Sequence, residues 1–464
     1  MTSMHHLGAL LVLSLITGLG LYSGSRVKSA GDFAGGSKKA GAGIVAGSII
    51  GTLVGGASTI GTAQLAFTFG FSAWWFTLGG GIACLILGGL YARPLYESGI
   101  TTMPQVLSHE YGRSVATTAT VLTSLGSFLS IVSQVLASIA LVTSVTALPS
   151  SVATLITLIL MIAYVLFGGV WGAGIVGIAK TVLLYIAVGA CGIMAVFWQG
   201  GIGAFTAALP AERFFSLVAR GAAVDIGAGL SLILGVLTTQ AYIQALISAK
   251  SLRLSRAGVL VSAALIPLVG IAGIFVGMYM RLNAPDIAPA SALPLFVLRF
   301  MPPLFGGAVL ATLLVTVVGT AAGVSLGLSS MFCNDIYRIY IRQNADDRRL
   351  LRVSRITLAV ILGAAALVTV GNLGSLILGW SFMSMGLRGA VAFGVLSAAL
   401  FLPGRIPRAY AMASMYVGPV CILAGKPFIG NIIDPLFFGV LGSLTVLAAG
   451  YFKHARQRRH ASGV

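Results

Sequence analysis

Charge is scarce in this chain: 8% of its 464 residues are Asp, Glu, Lys or Arg, against 58% that are hydrophobic. A soluble domain carries about 25% charge to keep its surface hydrated, so a water-soluble fold of this length is excluded. Acidic residues are scarcest, 10 against 28 basic ones. The sequence shows no carboxylate dyad and no nucleophile–base pair, which leaves enzymatic chemistry without support. The four cysteines, Cys84, Cys191, Cys333 and Cys421, stand singly in or beside apolar segments. Without a Cys-x-x-Cys or Cys/His cluster there is neither a disulfide framework nor a zinc site. No Walker motif occurs, and no stretch is polar enough for an ATPase or kinase domain. Work done by this chain is therefore driven by gradients, and no organic cofactor is expected. The net charge of +18 is not gathered into one patch, which argues against a nucleic-acid partner.

What the chain has in abundance is apolar runs long enough to cross ~30 Å of hydrocarbon, with 61 glycines that let helices approach closely. Reading the runs against their charged breaks predicts an all-α polytopic membrane protein of about 13 transmembrane helices. The expected spans are 5–23, 42–69, 71–92, 115–142, 151–168, 174–197, 225–247, 257–280, 304–333, 355–371, 374–401, 409–425 and 434–452. Alternate loops then differ sharply in charge. One set holds 21 basic residues, among them Arg26, Lys28, Lys38, Lys39, Arg113 and Arg456. The other holds 5: Arg213, Arg220, Arg281, Arg299 and Lys426. The positive-inside rule places the N-terminus outside and the C-terminus in the cytoplasm, as in a bacterial-type inner membrane. No Lys or Arg precedes the run Leu7–Tyr22, so a retained helix is expected there rather than a signal peptide.

Two spans are poor continuous helices. In 42–69 the apolar run is interrupted by Gly51, Gly55, Gly56 and Gly61 with Ser58, Thr59 and Thr62. Five spans later, 225–247 is interrupted by Gly227, Gly229, Gly235, Thr238, Thr239 and Gln240. Freed backbone groups are tolerated at membrane depth only against protein or a wet cavity. Five spans per half is an odd number, so the second half enters from the opposite side. Paired broken helices in such halves are the mark of an inverted-repeat transporter. Glycines serving helix packing alone are the plainer explanation.

Four stretches carry a family resemblance. They are Gly61-Thr62-Ala63-Gln64-Leu65-Ala66-Phe67-Thr68-Phe69-Gly70-Phe71-Ser72-Ala73-Trp74-Trp75; Thr102-Met103-Pro104-Gln105-Val106-Leu107; Gln240 to Gln244 leading into Ala249-Lys250-Ser251-Leu252; and Asn334-Asp335-Ile336-Tyr337-Arg338. In this order and spacing the chain resembles, over nearly its whole length, the sodium/solute symporters, the family of the bacterial proline permease and the sodium-coupled sugar transporters. The resemblance implies a LeuT-like 5+5 core, with repeat 1 at about 42–200 and repeat 2 at about 225–402, in a single transporter domain. Spans 5–23, 409–425 and 434–452 would be peripheral. It further implies alternating-access symport of a small organic solute with a cation.

The family's common sodium site, carried over by position, falls on Gly51, Val54, Thr316, Gly319 and Thr320. Gly319 lacks one of the two hydroxyls such a site uses, and a hard cation needs several oxygens. The aspartate and glutamine usual in the sixth span are replaced by Gly177 and Lys180. Residues three apart share a helix face, so Lys180 is aimed where the aspartate would point. In some proton-coupled amino-acid transporters of this core fold, a lysine fills the sodium space. Lys180 is therefore a candidate coupling residue, with proton-coupled or sodium-independent transport as the expectation. Lys180 also lies only about six residues, or roughly 9 Å, inside its span, and snorkelling to the headgroups is the competing reading.

Arg388 falls near the middle of the eleventh span, too deep to snorkel, where a cation is costly. A guanidinium matches a carboxylate bidentately, so an anionic substrate such as a mono- or dicarboxylate is the sharper expectation. A brace for broken-helix carbonyls is the plainer one. Ser58, Thr59, Thr238, Thr239 and Gln240 complete the candidate substrate contacts. Asp225 is expected to be paired or solvated, and His5 and His6 to be exposed. The implied partners are a small solute and membrane lipid. A channel and a membrane-embedded sensor on the same fold remain the alternatives.

Overall fold

The structure, a computed structural model, describes residues 2–24, 40–100, 102–146, 148–168, 175–343, 347–429 and 433–461. Arg26, Lys28, Lys38 and Lys39, which weigh in the charge bias, lie outside the described residues. So does Gly174, and the side chains of Asn334 and Asp335 are not described.

All regular elements among the described residues are helical. In chain order the main ones are α1 (Ser3–Gly24), α2 (Ala42–Leu53), α3 (Thr62–Phe69), α4 (Trp75–Ile86), α5 (Met103–Tyr111), α6 (Arg113–Thr146), α7 (Ser150–Gly168) and α8 (Ile175–Gln199). Then follow α9 (Ala222–Thr238), α10 (Gln240–Ile247), α11 (Leu252–Asn283), α12 (Pro303–Met331), α13 (Asp347–Val370), α14 (Ile377–Phe401), α15 (Arg408–Ile429) and α16 (Leu436–Ala461). Helix occupies each of the thirteen expected segments. By length and composition eight described helical runs are apolar enough to cross a bilayer, nine if the bent pair α9–α10 counts as one span.

Differences lie at the ends. Helix α13 starts at Asp347 instead of 355, and α12 continues as a π-helix through Phe332–Ile341. Hydropathy marks where hydrocarbon ends, whereas helical hydrogen bonds persist into the interface. Short helices such as α5 and Ala292–Phe300 also fall in expected loops. For α5 the local chemistry is readable: Thr102 is the N-cap, its hydroxyl accepting from Gln105 N at 3.3 Å, and Pro104 sits in the first turn.

Both expected breaks are present. After α2, Val54 leaves the helical region (φ −87°, ψ 94°), and the chain passes Gly55 and Gly56 into the π-turn Ala57–Gly61 before α3. In the second half, Thr239 (φ −85°, ψ 121°) separates α9 from α10, which are bent by 50°. The two broken helices are tied at both ends. At one end Ala40 N donates to Ser248 O and Lys250 N to Ala40 O, each at 3.0 Å. At the other end Ser72 donates to Asp225 at 2.6 Å, and Arg213 Nε to Thr68 O at 3.0 Å. The turn after α3 also needs Gly70, whose φ is +54° and where a Cβ would lie 2.0 Å from the Phe214 carbonyl oxygen.

Around this pair, α14 packs between α6 and α9, while α11 lies along α2, α3, α4 and α8. Helix α12 contacts α1, α6, α7 and α8, which places its middle turn opposite the first break. Small residues set the spacing: a Cβ on Gly235 would fall 2.5 Å from Met385 Cβ, and one on Gly389 would fall 2.6 Å from Leu234 Cβ. His5 departs from expectation. It is buried, with its backbone against Gly307, because α1 docks along the glycines of α12; His6 is exposed as anticipated.

Candidate functional site

The first break exposes backbone groups that neighbouring helices then satisfy. Gly56 N donates to Gln134 Oε1 of α6 at 2.8 Å. Ser58 and Thr59 turn their hydroxyls onto the Gly55 carbonyl at 3.0 and 2.8 Å. A Cβ on Gly55 would meet Gln134 Oε1 at 3.0 Å and Thr320 Oγ1 at 3.1 Å, so a larger residue would have to push these side chains of α6 and α12 aside. Val54, Ser58 and Thr59 are all buried.

Lys180 reaches this break from α8. Its ammonium donates to Gly51 O at 3.1 Å and to Thr320 Oγ1 at 3.3 Å, and the residue is only 6% exposed. The side chain therefore points into the bundle, not out to the headgroups. Thr320 in turn donates to Thr316 O at 2.8 Å, while the Thr316 hydroxyl is buried with no partner. At Gly319 a Cβ would lie 3.2 Å from Tyr164 Oη, so the tyrosine's polar end stands where a second hydroxyl would project. Of the five positions carried over for sodium, Gly51 and Thr320 thus hold the lysine. An ammonium on these two oxygens takes up lone pairs that a sodium ion would need, and repels the ion as well. The residues present do not fit a sodium ion beside a charged Lys180.

At the second break, Thr239 Oγ1 donates to Gly235 O at 2.6 Å and accepts from Arg388 Nη1 at 2.9 Å. Arg388 also donates from Nε to Ser384 O at 3.2 Å, and from Nη2 to Ser384 Oγ at 2.9 Å and Met385 Sδ at 3.1 Å. Its stem passes over Gly126, where a Cβ would be 2.6 Å from Arg388 Cγ. The guanidinium therefore braces α14 against the break and keeps N–H capacity on Nη1. Thr238 bonds back to Leu234 O at 2.9 Å. Gln240 lies apart from these, its Oε1 accepting from Met103 N at 2.7 Å and holding α5 to α10.

Among the described residues the ion pairs are Arg93–Glu97 and Arg220–Asp225, so neither Lys180 nor Arg388 has a carboxylate partner there. Asp225 is fully buried and paired, Arg220 meeting it at 2.6 Å. Sequence reading passed over Gln134 and Tyr164, and gave Gln64 no role beyond its place in the first family stretch. Gln64 bridges α3 to the start of α14, accepting from Ile377 N at 2.9 Å and donating to Ser375 O at 3.2 Å. The available signal was a lone amide inside an apolar run, which is costly unless bonded.

Comparison with known proteins agrees with this architecture. A family model described as the sodium:solute symporter family matches residues 33–418. The human high affinity choline transporter 1 is 25% identical over 473 aligned residues, covering 91% of this chain and 77% of that one. A solved structure of a Na+-coupled sialic acid symporter, substrate-bound and outward-open, superposes with a TM-score of 0.78 at 19% identity over 98% of both chains. Mhp1, a nucleobase-cation-symport-1 family transporter, in a closed conformation with bromovinylhydantoin bound, gives 0.56 at 12% identity over 91% of this chain and 94% of its own. The structural likenesses carry the fold: an all-helical LeuT-like bundle.

Proposed function

This chain belongs to the sodium:solute symporter family, and from that premise we propose that it moves a small organic solute by alternating access with Lys180 in the place of the coupling sodium. It is an integral membrane transporter of the cation:solute symport class and not an enzyme. The observation that carries the finer reading is the pair of contacts from Lys180 Nζ to Gly51 O and Thr320 Oγ1. These contacts join the first broken helix to α12 through a resident cation, the role a bound sodium ion would have. Transport is then sodium-independent or coupled to a proton.

The solute is read as an organic anion. Lys180 and Arg388 bring two positive charges to the neighbourhood of the breaks, and a carboxylate on the solute would offset charge that the described residues do not balance. Arg388, with Thr239 beside it, is the residue assigned to that carboxylate, and the buried Ser58, Thr59 and Thr238 at the two breaks are read as further solute contacts. The core repeats are read as about 42–200 and 225–402, and the membrane as a bacterial-type inner membrane.

The experiment is a thermal-shift screen of metabolites on the purified protein, with sodium or potassium and at two pH values, followed by uptake into liposomes. Solute-induced stabilisation that is equal in the two salts is expected. Strict sodium dependence of uptake, with unaltered ion dependence in Lys180→Gln, would overturn the reading.

A further inference from the structure

We propose that the end of α16 and the start of α15 form a seat for an anionic phospholipid headgroup. Ala449, Phe452, Lys453, Arg456 and Gln457 share one open face of α16. Positions 449, 452, 453 and 456 follow the three- and four-residue spacing of one helix face. That face is graded, with Ala449 and Phe452 toward the hydrocarbon and Lys453 and Arg456 toward the helix end. Phe452 is 64% exposed, an apolar ring left in reach of an acyl chain.

Helix α15 completes the corner. Gly450 lets the helices touch, since a Cβ there would lie 2.7 Å from Tyr410 Cβ. Lys453 Nζ stands 5.7 Å from the Tyr410 ring centroid, which holds the ammonium at a fixed level. Two residues earlier, Arg408 is exposed and bonds Ser114 of α6. None of Arg408, Lys453 and Arg456 has an ion pair among the described residues. The nearby carboxylate Glu110 is engaged by Gly404 N. A phosphodiester answers these cations, and its acyl chains answer the exposed Phe452 on the same face. Free phosphate would answer only the cations.

The test uses the full-length protein equilibrated with equal amounts of phosphatidylglycerol and phosphatidylcholine, and reads retained lipid by native mass spectrometry. The wild type is expected to retain phosphatidylglycerol selectively, and Lys453→Gln/Arg456→Gln to lose that retention roughly tenfold. Phe452→Ser is expected to weaken it with the cations intact, while Arg253→Gln, an exposed cation elsewhere on the basic side, leaves it unchanged. Equal retention of both lipids, an unaltered double variant, an equal loss in the Arg253→Gln control, or displacement by inorganic phosphate would each overturn the proposal.

Discussion

The ammonium of Lys180 lies 3.1 Å from the carbonyl oxygen of Gly51, joining the sixth expected span to α2, the first half of the first broken helix. The same ammonium touches Thr320, so one side chain from α8 joins the first broken helix to α12. Its burial and these contacts run against the snorkelling reading, since a snorkelling lysine would keep its ammonium at the headgroups.

Restoring the family's pattern should restore a response to sodium. In the variant Gly177→Asp/Lys180→Gln/Gly319→Ser the carboxylate has room, since nothing lies within 4 Å of a Cβ at Gly177. The new hydroxyl needs a shift of a few tenths of an ångström from Tyr164, whose Oη is 3.2 Å from a Cβ at position 319. Sodium chloride is expected to raise this variant's melting temperature above its value in potassium chloride, while the wild type melts equally in both. An insensitive triple variant would remove the link between these three positions and the ion.

Arg388 makes contacts of two kinds, and two substitutions separate them. Arg388→Ala removes charge-assisted bonds to Ser384 and Thr239 and is expected to cost about 1.5–3 kcal/mol in unfolding. Arg388→Lys keeps the charge but cannot span both acceptors as a planar fork. Solute-induced stabilisation should be lost in both variants. Unchanged solute affinity and selectivity in Arg388→Ala would confine the residue to bracing.

The stem of Arg388 makes Gly126 a sensitive position. A methyl there would lie 2.6 Å from Arg388 Cγ and 2.9 Å from the Ser384 carbonyl oxygen, so Gly126→Ala is expected to destabilise by roughly 1–3 kcal/mol. Gly89 provides the control: nothing lies within 4 Å of its Cβ position, and Gly89→Ala should be neutral or stabilising by up to about 1 kcal/mol. Thermal unfolding of the two variants side by side reads the difference.

Asp225 is fully buried and fastened to Arg220 and Ser72. Asp225→Asn would take from the Arg220 guanidinium, whose side chain is only 14% exposed, the carboxylate it meets at 2.6 Å, leaving Asp434 as the remaining acidic group that acts on it. A loss of about 3–5 kcal/mol is expected. The double variant Arg220→Met/Asp225→Asn should lose less than the two single changes combined, because the pair acts as a unit. Denaturation in a fixed detergent gives all four values.

The breaks were legible because Gly, Ser and Thr crowded into hydrocarbon-length runs contradict a continuous helix, and the chain does leave helical geometry at Val54 and Thr239. The depth of Arg388 was legible for a similar reason, as a charge where none is cheap. Its partners were not, because Ser384, Gly126 and Thr239 come together only after three helices pack. Gln134 was hidden in the same way: its bond to Gly56 N crosses from α6 to the break, and hydropathy carries no trace of it. His5 was misjudged because its burial depends on the glycines of α12, some 300 residues away along the chain. Asp225 could be given two fates from sequence, and the nearness of Arg220 in the folded loop decides between them.

The two backbone bonds at Ala40 also constrain how the protein is made. Its partners, Ser248 and Lys250, are synthesised about 210 residues later, which at ~5–20 residues per second is roughly ten to forty seconds. During that interval the start of the first broken helix lacks both of these partners. A nascent chain halted before Lys250 therefore cannot fasten Ala40 to the second broken helix, even though every residue of the first break has already been made.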